Sequence, residues 1–318
     1  MALKGALLEV RGLTVRYGGR LAAWTVDLTL RAGEVLGLVG ESGAGKSTVG
    51  RAVVRLLPEP GRVEAGGIRF RGRDLLAVAE AEMRRLRGAD IGLIPQDPLA
   101  ALNPAFRVGL QATDALCLHR GLSRRAAATE MARRLGHMGI PEPAGVLERY
   151  PHELSGGMRQ RVLIAMAFSC EPGLVIADEP TTALDVTTQA QILRLLGALQ
   201  TERRVATLFV THDLGVVAHL ADTIAVMYAG CVVEAAPTRA LFATPAHPYT
   251  QVLLAQVPRA DQRTEASATL EGLMPALDAP PRACPFRERC PKRMGICDEA
   301  MPPLQPIAGD HLAACHLY

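Results

Sequence analysis

Alternating hydrophobic and polar positions near the N-terminus predict an antiparallel β region. Residues 7–16 alternate as a strand with one buried face does, and residues 24–30 alternate again after the Tyr17-Gly18-Gly19 turn. A further strand is predicted at residues 63–71, and a short charged helix at residues 80–87. The beginning of the chain is therefore expected to form an antiparallel β subdomain.

Short, continuously apolar runs predict strands of a second kind, buried on both faces. They occupy residues 35–39, 91–94, 174–178 and 205–210, and two further strands are predicted at 222–228 and 231–235. Residues 99–160 differ, because they carry helical patterns such as residues 123–135, for which Ser123 is the predicted N-cap. The arginines of this stretch are predicted to form a solvated face: Arg124, Arg125, Arg133 and Arg134. The pattern indicates an α/β domain with a helical insertion.

Residues 40–48 fit G-x-x-x-x-G-K-[ST] and lie between a predicted strand and a predicted helix at 48–57. Glycines at 40, 43 and 45 let backbone N–H groups converge on phosphate oxygens, and the helix N-terminus adds partial positive charge. Lys46 has the reach for the β- and γ-phosphates, and Ser47 has a hydroxyl for Mg²⁺. The alternative, a glycine-rich turn that binds nothing, is disfavoured by the spacing and the flanks. The stretch predicts a nucleotide site.

Three further stretches carry candidate chemistry. Ser155-Gly156-Gly157, before an apolar helix at 162–169, offers N–H groups and a hydroxyl to a second anion. Asp178 and Glu179 end a buried strand, where a metal ligand and a general base are expected. His212 follows the strand at 205–210. Tyr17 is explained equally well by packing at a strand end or by stacking on a purine.

Composition narrows the function classes. The 318 residues are 49% hydrophobic with a net charge of +3, which gives no basic footprint for nucleic acid. No uncharged apolar run approaches the roughly 18 residues of a membrane span, and the apolar stretch at the N-terminus is too short for a signal peptide. We expect a cytoplasmic protein whose membrane role comes through a partner. Its seven cysteines then argue against a disulfide framework.

Taken together, these motifs resemble the ATP-binding subunits of ABC transporters over nearly the whole chain. Residues 40–48 match Walker A, residues 154–158 the signature, residues 174–178 Walker B, and residues 183–185 the D-loop. The resemblance implies that ATP and Mg²⁺ are bound by Tyr17 (adenine stacking), Gly40, Ser42, Gly43, Gly45, Lys46, Ser47, Thr48, Gln96 (Q-loop) and Asp178, with Ser47, Gln96 and Asp178 on the metal, and by Ser155, Gly156 and Gly157 on the partner's ATP. It implies catalysis by Glu179, which polarises water, by His212 at the γ-phosphate and by Gln96.

The finer resemblance is to the dipeptide/oligopeptide importers. Residues 96–104, 150–161, 177–186 and 247–250 look like that group, and Met158 with Thr181-Thr182 looks like its D-type paralogue. The resemblance implies a heterodimer with an F-type ATPase, two membrane permease subunits and an extracytoplasmic peptide-binding protein, at the cytoplasmic face of the membrane. The open alternatives are another cargo such as nickel, a soluble ABC ATPase acting on DNA or ribosomes, and a metal or cluster sensor.

Four cysteines end the chain at Cys284, Cys290, Cys297 and Cys315. Their spacings suit an iron–sulfur cluster or Zn²⁺, though they are wider than in common zinc knuckles. The tail of the peptide-importer ATPases is similar, and in some members it holds a [4Fe–4S] cluster; zinc and free buried thiols stay open. His311 and His316 are expected at the surface or beside the ligands, not among them. The expected division is an ABC ATPase domain at 1–236, with its helical subdomain at about 99–165, and a C-terminal domain at 237–318.

Overall fold

The computed structural model describes residues 5–182, 184–257 and 272–318. The chain forms two compact units. One combines the segment up to Ala77 with the segment from Phe209 onward, and the other is Val78–Leu208. The predicted division into an ATPase domain at 1–236 and a C-terminal domain at 237–318 follows sequence motifs, whereas these units group residues that lie close together in space. That domain boundary stays a prediction.

The strands are β1 Ala6–Tyr17, β2 Arg20–Arg31, β3 Val35–Val39, β4 Gly61–Phe70, β5 Arg73–Asp74, β6 Ile91–Ile94, β7 Leu174–Asp178, β8 Ala206–Thr211, β9 Thr223–Tyr228, β10 Cys231–Pro237, β11 Gln305–Ala308 and β12 His311–Ala313. The α-helices are α1 Lys46–Val53, α2 Glu80–Ala89, α3 Pro98–Ala101, α4 Val108–Ala112, α5 Asp114–Arg120, α6 Arg124–His137, α7 Pro143–Glu148, α8 Gly156–Ala167, α9 Val186–Arg203, α10 Leu214–Val217, α11 Thr238–Ala243, α12 Pro248–Ala255 and α13 Ile296–Glu299.

The first unit contains the predicted antiparallel sheet, with strand order β2-β1-β4-β5. β2 begins at Arg20, earlier than predicted, because the hairpin turn is only two residues long and Tyr17 pairs directly with Arg20. Five strands of a second sheet also lie in this unit, in the order β11-β12-β10-β9-β3, and β3 and β9 are parallel. All five residues of β3 are buried, as its unbroken apolar sequence predicts.

The second unit pairs β6 with β7 in parallel and surrounds them with helices. α6 begins where predicted, with the Ser123 hydroxyl accepting the amide of Ala126 at 3.3 Å. Arg134 is not on the solvated face that its neighbours occupy, and that prediction was wrong. Its side chain is buried, and its guanidinium donates to Glu130 at 2.7 Å and to the carbonyl of Phe168 at 3.2 Å.

The tail is tied into the first unit through the buried carboxylate of Glu234 on β10. Its two oxygens accept the amides of Ala246 and His247 at 2.8 Å each, and Nε2 of His311 lies 2.7 Å from one of them. His311 is therefore buried rather than at the surface. β12, which carries His311, pairs with β10, so the C-terminal strands extend the same sheet.

Candidate functional site

The phosphate-loop candidate, residues 40–48, lies between the end of β3 and the first turn of α1. Two of its glycines are required both by close contacts with neighbouring backbone and by the backbone conformation. A Cβ at Gly40 would collide with the carbonyl oxygen of Met227, and one at Gly45 with that of Ala22. Gly45 has φ 99° and is the N-cap of α1, a conformation that side chains resist. The loop therefore takes a shape that only glycine permits at these two positions.

Lys46 is 3% exposed, and its ammonium donates to the carbonyls of Gly40 at 2.8 Å and Glu41 at 2.9 Å. The ammonium is thus folded back over its own loop. Ser47 and Thr48 follow in the first turn of α1, beside the positive end of the helix.

Two carboxylates lie at the end of β7 in the second unit, as predicted: Asp178 is its last residue and Glu179 follows it. Asp178 is 3% exposed and Glu179 is 8% exposed. Oε2 of Glu179 accepts the amide of Gln96 at 3.3 Å and the hydroxyl of Thr182 at 2.8 Å. Glu179 has φ 46°, an uncommon backbone conformation for a residue other than glycine. The structure therefore brings the predicted base and the predicted Q-loop residue together, and it holds the carboxylate in one orientation.

Thr182 is a contact that the sequence argument did not assign. The sequence feature that could have indicated it is its position three residues after Glu179, because a turn there brings the threonine hydroxyl back to the carboxylate. Nothing in the residue type alone marked it, because a threonine in a turn has many uses.

The signature residues open helix α8. Ser155 is the N-cap of α8, its hydroxyl accepts the amide of Met158 at 3.3 Å, and both Ser155 and Gly156 are exposed. A Cβ at Gly157 would come within 2.7 Å of Thr188 on α9, so glycine is needed there for close packing. The exposed helix N-terminus suits an anion that approaches from outside the unit.

Asp185 of the D-loop candidate is the N-cap of α9, and the backbone N–H of Thr188 lowers the pKa of its carboxyl. Ala183 of the same motif lies outside the described residues. Two candidates belong to the first unit. His212 is exposed directly after β8, and Tyr17 lies at the end of β1 with its ring against Gly61.

The four tail cysteines are free thiols, of which Cys284 and Cys297 are buried and Cys290 and Cys315 half-buried. Burial raises the pKa of Cys284 to about 11, with a smaller contribution from the other three, so all four thiols share one electrostatic neighbourhood. Within residues 5–182, 184–257 and 272–318, no three His, Cys, Asp or Glu side chains are arranged to hold a metal ion. The arrangement of these described side chains therefore gives no support to the metal site predicted from the cysteine spacing.

In the same part of the chain, no helix combines the length and apolar character needed to cross a membrane.

Comparison with known families gives two matches along the chain. The family described as ABC transporter matches residues 24–182, and the oligopeptide/dipeptide transporter C-terminal region matches residues 233–297. The first match contains Walker A, the Q-loop glutamine, the signature and Walker B. The second contains the first three tail cysteines.

Relatives extend the similarity over nearly the full length. The chain is 46% identical to the dipeptide transport ATP-binding protein DppD of Bacillus subtilis, across 98% of this chain and 94% of that protein. It is 48% identical to the oligopeptide transport ATP-binding protein OppD of Salmonella typhimurium, across 97% and 93%.

A solved structure supports the fold. The ATP-binding cassette MJ0796, in a dimeric post-hydrolysis state bound to ADP and Pi, matches with a TM-score of 0.66 and 26% identity, across 73% of this chain and 99% of that one. The predicted ABC ATPase fold is confirmed. The chain belongs to the ABC transporter family, as an ATPase of the group that contains the dipeptide and oligopeptide transport ATP-binding proteins.

Proposed function

We propose that this ATPase powers uptake of dipeptides or oligopeptides. One observation carries the cargo assignment, namely the match of residues 233–297 to a C-terminal region described for oligopeptide/dipeptide transporters. The relatives named for dipeptide and oligopeptide transport support it across both halves of the chain. Nickel import and a non-transport ATPase have no comparable feature in their favour.

In the proposed reaction, Glu179 accepts a proton from the water that attacks the γ-phosphate. Its carboxylate is already oriented by Gln96 and Thr182, so little reorganisation precedes the chemistry. Lys46 leaves the two loop carbonyls and binds the β- and γ-phosphates, while His212 contacts the γ-phosphate. Tyr17 stacks on the adenine.

The buried carboxylate of Asp178 fits a Mg²⁺ ligand, because acidic oxygens at a strand end suit this hard cation. Ser47, Gln96 and Asp178 are the residues proposed to hold it. The bound ion supplies charge neutralisation on the phosphates.

The start of α8 at Ser155, Gly156 and Gly157, where Ser155 and Gly156 are exposed, is proposed to bind the ATP held by a second, paralogous F-type subunit in a head-to-tail dimer. Support comes from its exposure at the start of α8 and from the dimeric state of the MJ0796 cassette. Two permease subunits and an extracytoplasmic binding protein complete the proposed importer. The chain is then peripheral, at the cytoplasmic face of the membrane.

For the tail we propose a [4Fe–4S] cluster on Cys284, Cys290, Cys297 and Cys315. The sequence resemblance and the shared electrostatic neighbourhood of the thiols support it. The four thiolates would hold the cluster, which would brace the tail. No step of ATP hydrolysis depends on this centre.

The experiment that tests the cargo is ATP turnover by the complete importer in liposomes, with its binding protein loaded with peptides of defined length. We expect turnover to rise several-fold with peptide. Equal turnover with and without every peptide tested, or stimulation by a nickel-loaded binding protein instead, would contradict the proposal.

A further inference from the structure

An arginine of the cysteine-rich tail binds directly to the phosphate loop. The guanidinium of Arg289 forms a bidentate ion pair with the carboxylate of Glu41, with N–O distances of 2.9 and 3.1 Å. Its side chain is 7% exposed, and it also donates to the hydroxyl of Tyr228 at 3.3 Å. Paired geometry of this kind fixes direction as well as distance. The contact joins residues 248 positions apart in the chain.

Glu41 is held at all three of its polar groups. Its carboxylate binds Arg289, its amide donates to the hydroxyl of Tyr249 at 2.9 Å, and its carbonyl accepts the ammonium of Lys46 at 2.9 Å. Tyr249 lies on α12, and its ring packs against Phe286 of the tail with centroids 5.4 Å apart. The loop is thus clamped by the C-terminal segments and by its own lysine.

The charge of Glu41 gives the clamp a consequence for binding. A carboxylate in a loop that receives a polyphosphate opposes the ligand, because like charges repel most strongly where water is scarce. Arg289 cancels that charge at close range. An ion pair that only attached the tail would not need to sit on a phosphate-loop residue.

We propose that Arg289 is a positioning residue for ATP. Through its ion pair with Glu41 it neutralises the carboxylate of the phosphate loop, so that ATP affinity depends on the folded tail next to Cys290. This inference rests on the proposed assignment of residues 40–48 as the phosphate loop. It is independent of the cargo and of any metal in the tail.

The test measures the dissociation constant of ATP for the purified full-length chain. We expect Arg289→Met to weaken ATP about tenfold, which corresponds to about 1.4 kcal/mol. Glu41→Gln removes the negative charge and leaves the positive Arg289 beside the loop, so it is expected not to weaken ATP. The double variant is expected to recover to within about threefold of Glu41→Gln, because the uncompensated charge is gone. Arg293→Met is the matched control, since Arg293 makes a similar pair with Asp298 at 2.7 and 3.1 Å in the same segment.

Rescue by the second substitution separates this role from a structural one. If Arg289 only attached the tail, Glu41→Gln would not restore affinity, and that result or wild-type affinity in Arg289→Met would overturn the proposal. If Arg289→Met does not fold, the same cycle is run with Arg289→Gln, where the loss of the positive charge should again weaken ATP about tenfold and Glu41→Gln should reverse the effect. Lys46→Ala, run in parallel, tests the loop itself: wild-type affinity there would refute the loop assignment, whatever Arg289 does.

Discussion

Replacing Glu234 is predicted to release the C-terminal strands from the sheet. The carboxylate is fully buried and serves two backbone amides and the ring of His311. Glu234→Leu removes every acceptor and leaves buried donors unsatisfied. Leaving a buried donor without its acceptor costs about 1–3 kcal/mol, so losing these three contacts is expected to cost about 3–5 kcal/mol in all. Glu234→Gln keeps one acceptor oxygen and is expected to cost about 1–3 kcal/mol.

Hydrogen exchange of the backbone amides in the C-terminal strands measures this loss of stability directly. β12 pairs with β10 at Glu234 itself, so its amides become exposed when the network opens. A loss of about 4 kcal/mol raises the population of the open tail about a thousandfold, and exchange in residues 305–318 should accelerate accordingly. The control is Glu288→Gln, because Glu288 is 72% exposed in the same tail. Acceleration of less than about threefold in Glu234→Leu would refute the view that this carboxylate anchors the tail.

Three further outcomes are expected. Burial lowers the pKa of His247 to about 3, so the unfolded chain takes up the proton first and stability falls as the pH drops below about 6.5, by up to about 1.4 kcal/mol per unit. His247→Asn should flatten this dependence in unfolding measurements at pH 5–7, and the exposed control His152→Asn should not. Anaerobically purified protein should contain about four irons per chain by metal analysis and Cys290→Ser should lose them, whereas one zinc would replace the cluster proposal. With labelled nucleotide on the heterodimer, Lys46→Ala should empty this subunit's loop and Ser155→Arg the partner's, and loss from one and the same site would contradict the head-to-tail arrangement.

Local patterns predicted the parts of the fold that depend on local physics. The alternating strands and the buried apolar strands lie within a few residues of their predicted positions. α9, the 18-residue helix Val186–Arg203, was not predicted. Its apolar residues do not gather on one narrow stripe, and only four of its residues are buried. Periodicity is a weak signal for such a helix.

Contacts between distant segments lay beyond the sequence argument. The burial of Arg134 depends on the carbonyl of Phe168, and the burial of His311 depends on Glu234. Arginine and histidine are usually exposed or half-exposed, so residue type alone favours the surface. The pair of Arg289 with Glu41 is of the same kind, because no spacing rule connects a tail residue with a phosphate loop.

The candidate site was predictable to the extent that its motifs are contiguous. Residues 40–48, Ser155-Gly156-Gly157 and Asp178-Glu179 each carry their chemistry within a few positions of sequence. The hydrogen bonds from Gln96 and Thr182 to Glu179 needed the structure, because they depend on how strand ends and turns meet.

The most direct test of the central claim is ATP hydrolysis and peptide uptake by the importer carrying Glu179→Gln, with the partner's own site disabled. The substitution keeps the size of the side chain and removes the base. ATP should remain bound, while turnover and uptake should fall together by about 10²–10⁴-fold. Near-normal ATP hydrolysis in this variant would contradict the account, and so would peptide uptake that continues when ATP hydrolysis is lost.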